Sequence, residues 1–558
     1  TVSGTVANEY VFDKDHDNNG RYTALVVAEG IFIDLSGVTA RGAVSTSCRT
    51  AGGIAGMIRV EGSKGQNVGS IQDCMNFASV NGKDQVGGIA GYTRTNGTGY
   101  LTVERCGNEG SIAAEAYAGG ITGLSGMTSF DRCYNKGAVA GAVAGGIVGT
   151  LNSGTDEKVF VANCYNLGAV DGLNSAAGGI LGADATGGGL VQYCYSTGAV
   201  TTTNEREGKT TSAGIYGSTG GNLSTRFRNN YYLSGTADFG ACSGYVLSGG
   251  SGAMLTGAAD IAGQFEAKTA EELKSAGLAV ALNNGDMTDA AAWRTVAESN
   301  PVLAWENVPG AELPVPQPWD GTSVDTSWYT DLKGVNRFSI YVPEQLAGLA
   351  KLVNEGNTLA GKTITLMTDI DLGGHEWTPI GTITADGMPV PFSGAFYGQG
   401  HLIKGLSIQN PSTVEAYGSI MFVAGLFGTI GGEGCVLDGV HVEGNININE
   451  DKDTISALVG GIAGAVMEAE ATLQDCRFDG EMTLGIKTLD GNNMAAAGGI
   501  LGGCAISPEL HIVQCVNTAK ITAKTSGLSV GGIAGYLWTS LHDKQFVENC
   551  YNIGAIEG

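Results

Sequence analysis

The sequence has few charged residues, and few of these are basic. Asp, Glu, Lys and Arg together make up 15% of the chain, and 55 acidic residues against 30 basic ones give a formal net charge of -25. Such a surplus of negative charge repels nucleic-acid phosphates and anionic membrane surfaces, so we expect no nucleic-acid partner. The chain also has no run of about 18 apolar residues, which predicts that this segment does not insert into a membrane.

Motifs of common hydrolases and metal sites are missing as well. The chain has no His-Glu-x-x-His, and none of its 12 cysteines forms a zinc-type Cys-x-x-Cys pair. Residues 356–363 do match the phosphate-binding pattern Gly-x-x-x-x-Gly-Lys-Thr. That mechanism needs a strand before the loop and a helix after it, whereas here a predicted helix at residues 343–354 precedes and a predicted strand at residues 363–366 follows. We interpret the segment as a helix-to-strand connection and expect no catalytic residues and no cofactor.

Glycine, by contrast, is abundant, with 91 residues. Many of these glycines belong to a recurring segment, Gly-Gly-Ile-x-Gly, and a second segment, Cys-x-Asn-x-Gly or a close variant, recurs between its copies. Successive copies are about 26 to 39 residues apart, the range in which one supersecondary unit stacks on the next. The first segment begins at residues 52, 87, 119, 145, 178, 460, 498 and 531, and the second begins at Cys74, Cys106, Cys133, Cys164, Cys194, Cys515 and Cys550.

These repeating units are typical of short strands and tight corners. They are brief apolar runs punctuated by Gly and Asn, which do not suit helices of ten or more residues. Because side chains alternate along a strand, Cys164, Asn166 and Val170 share one face, which we expect to point inward. Stacked coils place equivalent residues about 4.8 Å apart, so we expect ladders of Cys and of Asn. The sequence therefore predicts an all-β fold, a parallel β-helix or β-solenoid, whose repeat cysteines are buried free thiols.

The combined rhythm of Gly-Gly-Ile-x-Gly and Cys-Tyr-Asn-x-Gly resembles the GLUG motif repeats of large exported bacterial surface proteins, including regions attached to some IgA-cleaving metalloproteases. The resemblance covers most of residues 40–235 and 435–558. It implies an extracellular setting, secreted or at the bacterial cell surface, and an adhesin-like role. It does not imply a catalytic site in the repeats.

The repeats fall into two series with a different kind of sequence between them. Residues 1–308 are predicted to form a first solenoid with a helical cap, because residues 269–282 start with a capping box, continue at helical spacing and stop at Asn283. Residues 309–321 are rich in proline, which is typical of a semi-rigid linker. Residues 322–558 are predicted to form a second solenoid with an N-terminal cap module. Five of the six tryptophans lie in the caps and linker, where we expect the rings to cover open coil ends: Trp293, Trp305, Trp319, Trp328 and Trp377.

The best candidate for a metal site is an acidic cluster near the start of the chain. Asp13, Asp15 and Asp17 alternate ahead of Gly20, and alternating carboxylates near a glycine can wrap a hard cation such as Ca²⁺. The cluster departs from the EF-hand loop, which has Gly at the position of Asn18 and a suitably spaced Glu. An ordinary solvated loop is the alternative interpretation.

Three functions are compatible with these patterns. The first is a non-catalytic structural or adhesin-like region of a bacterial surface protein, which acts as a rigid stalk or presents ligand-binding loops to a host or bacterial glycan or protein. The second is a carbohydrate-active β-helix enzyme, a lyase or glycosidase, and the third is an accessory region of a larger exported protease. Recurring residues in a solenoid are those that stack, and here they are Gly, Cys, Asn, Tyr, Ala and Ile rather than grouped carboxylates, so we favour the first.

Recognition is expected in the loops between the motifs, because these loops project from the stack without disturbing it. We predict such loops at residues 201–211, 447–454 and 539–545. The pair Asp369 and Asp371 is predicted to form a structural corner. Both termini fall inside the repeat pattern, so we also expect the chain to be part of a longer polypeptide whose export and attachment signals lie elsewhere.

Overall fold

The chain divides into two compact units, Thr1–Pro314 with Thr330–Val335 and Val315–Tyr329 with Asn336–Gly558. About 55% of the chain is strand and 6% is helix, and most strands pair in parallel, coil upon coil. The prediction of an all-β, parallel β-solenoid is therefore confirmed. The computed structural model describes residues 2–8, 22–23, 26–30, 33–62, 67–97, 99–152, 159–185, 189–203, 205–206, 209–210, 212–217, 226–248, 251–258, 264–315, 317–326, 328–329, 336–416, 419–467, 470–488, 494–505, 509–525, 527–538 and 544–558.

The first unit is built from three long sheets. A seven-stranded sheet contains Ile33–Ser36, Asn67–Gln72, Tyr100–Glu104, Thr128–Asp131, Phe160–Ala162, Leu190–Gln192 and Arg226–Arg228. A 14-stranded sheet carries the Cys-x-Asn-x-Gly segments and contains Val2–Asn8, Thr39–Thr46, Met75–Asn76, Ser79–Asn81, Gly107–Asn108, Ile112–Ala113, Tyr134–Asn135, Val139–Ala140, Tyr165–Asn166, Val170–Asp171, Tyr195–Ser196, Val200–Thr201, Asn230–Leu233 and Phe265–Lys268.

The third sheet of this unit carries the Gly-Gly-Ile-x-Gly segments. It is 15-stranded, and its last two strands form an antiparallel hairpin. Its members are Tyr22–Thr23, Val26–Gly30, Thr50–Gly52, Ala55–Gly62, Gln85–Gly87, Ala90–Gly97, Tyr117–Gly119, Thr122–Gly126, Val143–Gly145, Val148–Asn152, Ala176–Gly178, Leu181–Asp184, Ser212–Tyr216, Phe239–Ser248 and Ser251–Ala258.

The second unit repeats this plan with three sheets, which are parallel except for the antiparallel pair Val414–Ala416 with Ser419–Ala424 in the largest of them. A seven-stranded sheet contains Arg337–Ile340, Thr363–Leu366, Ala395–Tyr397, Val436–Asp438, Ala471–Gln474, Glu509–Val513 and Lys544–Glu548, and a four-stranded sheet contains Phe427–Ile430, Ala463–Met467, Leu501–Ala505 and Ala534–Trp538. A 12-stranded sheet contains Ile370–Asp371, Leu402–Ile408, Val414–Ala416, Ser419–Ala424, His441–Gly460, Arg477–Thr488, Met494–Gly498, Val516–Asn517, Lys520–Ala523, Ser529–Gly531, Tyr551–Asn552 and Ile556–Glu557.

The remaining elements are small. Three antiparallel pairs are Glu205–Arg206 with Lys209–Thr210, Trp293–Val296 with Ser299–Leu303, and Thr382–Ile383 with Pro389–Val390. The helices are the α-helices Ala276–Leu282 and Pro343–Asn354 and the 3-10 turns Glu272–Lys274 and Ala304–Glu306.

The repeats stack in register, motif on motif. Tyr134 and Asn135 align with Tyr165 and Asn166 in the next coil, and glycines of the Gly-Gly-Ile segments align with one another in the same way. The core is a set of columns in which each coil contributes one equivalent apolar side chain. One buried column consists of Val44, Val80, Ile112, Val139, Val170 and Val200.

Each coil turns a sharp corner at the residue before the motif cysteine. That residue has a positive φ near 50° although it is not glycine, as at Arg105, Arg132 and Tyr193. Such a conformation costs an L-residue roughly 1–2 kcal/mol, so the surrounding coil must hold it in place. The sequence interpretation associated tight corners with Gly and Asn and missed these corners.

Both predicted helices are present, and the capping helix is divided. Thr269 and Glu272 form the predicted capping box: the Thr269 N–H donates to the Glu272 carboxylate at 2.6 Å, and the Glu272 N–H donates to the Thr269 hydroxyl at 3.2 Å. The chain then breaks at Ser275, whose hydroxyl accepts from the Leu278 N–H and starts the helix Ala276–Leu282. In the second unit the helix Pro343–Asn354 and the strand Thr363–Leu366 have the predicted bounds.

Two of the tryptophans do not cover a coil end as predicted. The hairpin Trp293–Val296 with Ser299–Leu303 folds back along the side of the first unit, so Trp293 contacts the rings of Tyr165 and Tyr195 at 6.1 and 5.4 Å. Trp305 stacks on Tyr134 at 5.6 Å. The physical reason is that the column of motif tyrosines presents an apolar face on the outside of the solenoid, which the returning chain buries.

Candidate functional site

The predicted recognition segments have mixed outcomes. Asp13, Asp15 and Asp17 lie outside the described residues, so the Ca²⁺ site stays a prediction. Within residues 201–211, a short antiparallel pair joins Glu205–Arg206 to Lys209–Thr210. Of the predicted loop at residues 539–545, residues 539–543 are outside the described part of the chain, and Lys544 and Gln545 begin the strand Lys544–Glu548.

The prediction of a loop at residues 447–454 is wrong. These residues belong to the long strand His441–Gly460, which pairs with Arg477–Thr488 and carries one irregularity between Glu450 and Thr454. The alternation of buried Ile446 and Ile448 with exposed Asn445 and Asn447 explains the strand, because a period of two places every apolar side chain inside.

The segment that matches a phosphate-binding loop is a helix-to-strand connection, as predicted. It begins after the helix Pro343–Asn354 ends and finishes at the first residue of Thr363–Leu366. The backbone amides of this connection therefore do not extend into a helix N-terminus, which is the feature that holds a phosphate.

Asp369 and Asp371 form structural corners between coils. Asp369 accepts a hydrogen bond from the Leu402 N–H at 3.0 Å and contacts His401 Nδ1 at 3.2 Å. Asp371 accepts from the Gly373 N–H at 2.9 Å and pairs with Lys404 Nζ at 3.1 Å. Both carboxylates are thus occupied in holding one coil to the next.

The motif asparagines of the first unit form a continuous buried row of hydrogen bonds. The Nδ2 group of Asn76 donates to Asn108 Oδ1 at 2.7 Å, Asn108 donates to Asn135 at 2.6 Å, and Asn135 donates to Asn166 at 2.7 Å. Asn166 ends the row by donating to Ser196 Oγ at 3.2 Å. Each Nδ2 also donates to the carbonyl two residues later in its own coil. The amides are thereby fully used in stacking, and we call these five residues the asparagine row.

The motif cysteines lie beside this row as free thiols. Cys106, Cys133 and Cys164 are buried and unpaired. Burial raises the pKa of each of these three thiols well above its ordinary value, because a thiolate cannot be solvated there. They act as small core residues rather than as nucleophiles.

The tyrosines between each motif Cys and Asn form a second column, which the returning chain covers. The rings of Tyr134, Tyr165 and Tyr195 stack at 5.3 and 5.2 Å. Glu306 is buried against them and accepts from the Tyr165 hydroxyl at 2.8 Å and from Lys136 Nζ at 3.3 Å. Burial, together with the negative charge of Glu306, raises the pKa of Tyr165.

A polar cluster crosses three coils of the second unit. Asp479 lies 2.6 Å from His441 Nε2, and it accepts from Arg477 Nε at 2.7 Å and Nη2 at 3.0 Å and from the Thr518 hydroxyl. Partial burial opposes ionisation of Asp479, but these hydrogen bonds outweigh it and lower its pKa to about 2. The aspartate is therefore a stable anion whose lone pairs are in use, which suits a structural ion pair better than a general base.

Sequence reasoning did not find this cluster or the contact of Glu306. The cluster spans 77 residues of sequence, from His441 to Thr518. Only the register between coils brings its four residues together. A usable signal existed, because Cys476 occupies the position of the motif residue Cys515 in the preceding coil and so fixes which residues align.

The described part of the chain contains no group of three or more His, Cys, Asp and Glu side chains placed to hold a metal ion. Among the described residues, no helix combines the length and the apolar character needed to cross a membrane.

Comparison with known proteins gives a single structural likeness to report. No protein-family profile matches the chain, and no curated protein matches it. Its structure is similar to a crystal structure described as a putative immunoglobulin A1 protease from Bacteroides ovatus, with 17% sequence identity and a TM-score of 0.25. The match covers 55% of this chain and 86% of that one. The resemblance to GLUG repeats stays a prediction.

Proposed function

We propose that this chain is a non-catalytic structural or adhesin-like repeat region of an exported bacterial protein, which acts at the cell surface or after secretion as a rigid stalk or ligand-presenting scaffold. The asparagine row is the observation that carries the proposal. It commits the most frequently repeated polar side chain to coil-to-coil hydrogen bonds, and it leaves that side chain unavailable for chemistry.

Rigidity follows from the same contacts. Bending the stack would break buried hydrogen bonds between coils. Because water does not reach the asparagine row, no hydrogen bonds to water would replace them, so bending costs free energy. The fully buried positions of the repeats are filled by Gly, Cys, Asn and Ile, which hold the coils at strand spacing. A scaffold of this kind separates or displays other parts of a protein.

A host or bacterial surface glycan or protein is the partner class that we propose. The short antiparallel pair Glu205–Arg206 with Lys209–Thr210 is a described element that forms a two-stranded sheet of its own. The test is binding of the full chain to glycan and protein arrays, alongside a variant in which residues 204–211 are replaced by a Gly-Ser linker. We expect a ligand whose signal the replacement reduces at least tenfold while the thermal midpoint is unchanged.

The competing enzymatic function has its own measurement. The full chain is incubated with a panel of acidic and neutral polysaccharides, and reducing ends and unsaturated products are quantified. We expect no turnover. If the parent chain shows turnover and Asp479→Asn or His441→Ala loses it with the fold intact, the chain is a carbohydrate-active enzyme and the proposal of a non-catalytic scaffold is wrong. The proposed location at the cell surface is tested by adding protease to intact cells. A chain that stays uncleaved would contradict that location.

A further inference from the structure

One outward-facing part of the first unit places a basic side chain beside apolar ones. In the strand Ala90–Gly97, Tyr92 and Arg94 point away from the core, since the intervening Thr93 is 0% exposed. Arg94 is exposed and Tyr92 is half-buried. Arg94 has no hydrogen-bond or ion-pair partner among the residues that the structure describes. Its guanidinium group therefore presents its donors to solvent.

The neighbouring coils explain why Arg94 has no partner. Elsewhere in this unit, Arg49 pairs with Asp84 of the next coil at 2.8 Å. Arg94 is level with Arg59 in the preceding coil and with Gly126 in the following one, so neither neighbour supplies a carboxylate at its level. The chain has a formal net charge of -25. An exposed cation without a carboxylate beside it is complementary to a small anionic ligand.

A row of apolar side chains lies next to the guanidinium group. Tyr92 is level with Met57 in the preceding coil and with Leu124 in the following one, and all three are half-buried. This row is two residues along the strands from Arg94 and Gly126, which is about 7 Å. A Cβ atom at Gly126 would have no heavy atom nearer than 3.8 Å, so there is room beside Arg94. We call these five residues the Arg94 patch.

We propose that the Arg94 patch binds a sugar that carries a carboxylate, at the end of an otherwise neutral glycan. The Arg94 guanidinium group forms two parallel hydrogen bonds with the carboxylate. The apolar face of the sugar ring packs on Tyr92 and Leu124, and the bare backbone at Gly126 leaves space for the ring. Asn152 is exposed and level with Gly126 in the next coil, where its amide group meets a sugar hydroxyl.

Other anionic ligands fit the Arg94 patch less well. A polyanion such as a nucleic acid or a sulfated polysaccharide needs many cations, and the acidic chain repels it. A peptide that adds a strand needs a free strand edge, but Ala90–Gly97 is paired on both sides, with Ala55–Gly62 and with Thr122–Gly126. Recognition therefore depends on side chains and suits a compact ligand with one negative charge.

Binding of this sugar rests on the ligand-presenting role proposed above, but it uses a different surface. The Arg94 patch belongs to the 15-stranded sheet, whereas Glu205–Arg206 and Lys209–Thr210 form a sheet of their own. The two surfaces can therefore be tested separately.

The test uses the full chain and sialyllactose, with lactose as the ligand that lacks the carboxylated sugar. Titrations followed by saturation-transfer NMR give the Kd of each ligand. We expect saturable binding of sialyllactose with a Kd of about 1 mM and binding of lactose that is at least about tenfold weaker. Raising the salt concentration from about 0.01 M to about 1 M should weaken binding of sialyllactose severalfold, because the ion pair is exposed.

Two variants of the patch and one matched control make the result specific. Arg94→Gln should bind sialyllactose at least about fivefold more weakly. Arg49→Gln removes the same charge from a paired arginine and should bind sialyllactose as the parent chain does. Gly126→Glu should also lose at least about fivefold in affinity, because its carboxylate lies level with Arg94 and pairs with it in place of the ligand. Urea unfolding checks that all three variants are folded.

Three outcomes would overturn the proposal. They are absence of saturable binding at about 10 mM sialyllactose, equal effects of Arg94→Gln and Arg49→Gln, and tighter binding of a triglutamate peptide, which would make an acidic peptide the partner. Replacement of residues 204–211 by the Gly-Ser linker should leave binding of sialyllactose unchanged. If this replacement abolishes binding to an array ligand and the parent chain does not bind sialyllactose, the Arg94 patch is wrong while the proposed function stands.

Discussion

Gly146 and Asn166 meet across the interior of the first unit so closely that only glycine fits. A Cβ atom at Gly146 would lie 2.5 Å from Cγ of Asn166 and 2.0 Å from the carbonyl oxygen of Gly179. The same contact recurs between Gly120 and Asn135. The two sequence motifs are therefore two halves of one packing unit: the second glycine of Gly-Gly-Ile makes room for the asparagine of Cys-x-Asn.

Replacing Gly146 by alanine is expected to be strongly destabilising. The added methyl group meets backbone and a fully hydrogen-bonded amide, neither of which can move without opening the coil, so we expect a loss of about 3 kcal/mol in the free energy of unfolding. Urea unfolding measures this change in the free energy of unfolding. Gly126→Ala is the matched control, because the nearest heavy atom would lie 3.8 Å from the added Cβ and the φ of Gly126 is not positive. This variant should change the free energy of unfolding by less than about 1 kcal/mol. Equal midpoints for the two variants would contradict the steric argument.

Loss of a side chain in the middle of the asparagine row should cost more than loss at its end. Asn135→Ala removes bonds to Asn108, Asn166 and Gly137 and leaves their buried groups unsatisfied, so we expect about 3 kcal/mol of destabilisation. Ser196→Ala removes the terminal acceptor alone and should cost about 1 kcal/mol. Thermal and urea midpoints of both variants give the comparison, and a reversed order would show that the row is not what holds the coils.

The repeat cysteines should resist alkylation while the chain is folded. Burial raises the pKa of Cys106, Cys133 and Cys164, so almost no thiolate is present at neutral pH, and reagents have no access to the sulfur. Time-resolved iodoacetamide labelling with mass spectrometry should show the half-buried Cys550 reacting first and these three reacting after urea is added. Finding them oxidised in pairs would refute the assignment as free thiols.

Glu306 is expected to fasten the returning hairpin to the solenoid. Glu306→Gln weakens its contacts with Lys136 and Tyr165, and the tryptophan fluorescence of Trp293 and Trp305 reports release of the hairpin. A double-mutant cycle with Lys136→Met should give a coupling of about 1 kcal/mol. Additive effects would mean that the ion pair contributes nothing to closure and that the stacked rings act alone.

Acid should weaken the second unit through Asp479. Its pKa is lowered from 3.8 to about 2 in the folded chain, so its ion pair and hydrogen bonds stabilise the fold above about pH 4 and are lost as the pH falls towards 2. The difference corresponds to about 2 kcal/mol. Stability measured between pH 5 and pH 2 should therefore fall less steeply in Asp479→Asn than in the parent chain. Parallel profiles would indicate that other carboxylates govern acid unfolding.

Sequence reasoning predicted the solenoid, the inward asparagines, the buried thiols and the helix Pro343–Asn354, because each depends on local pattern and on repetition. It could not predict which side chains meet across coils when the spacing between copies varies, so the cluster around Asp479 was missed. The strand at residues 447–454 was mistaken for a loop because its exposed asparagines hid the period of two.

The hairpin at Trp293 was beyond the sequence for a different reason. Trp293 and Trp305 are apolar enough to cover any exposed surface. Their spacing in the sequence does not indicate whether that surface is a coil end or a column of tyrosines. Only the position of Glu306 beside Tyr165 decides between the two.

The hydrogen bonds of the asparagine row all run in one direction. Every Nδ2 points towards the later coil and every Oδ1 towards the earlier one, and the bond from each Nδ2 to a carbonyl of its own coil prevents the amide from turning over. The side-chain dipoles of the row therefore add instead of cancelling, as peptide dipoles do along a helix. The asparagine row therefore carries a net dipole along the stack of coils although it holds no charged group, and the positive end of this dipole is at Ser196.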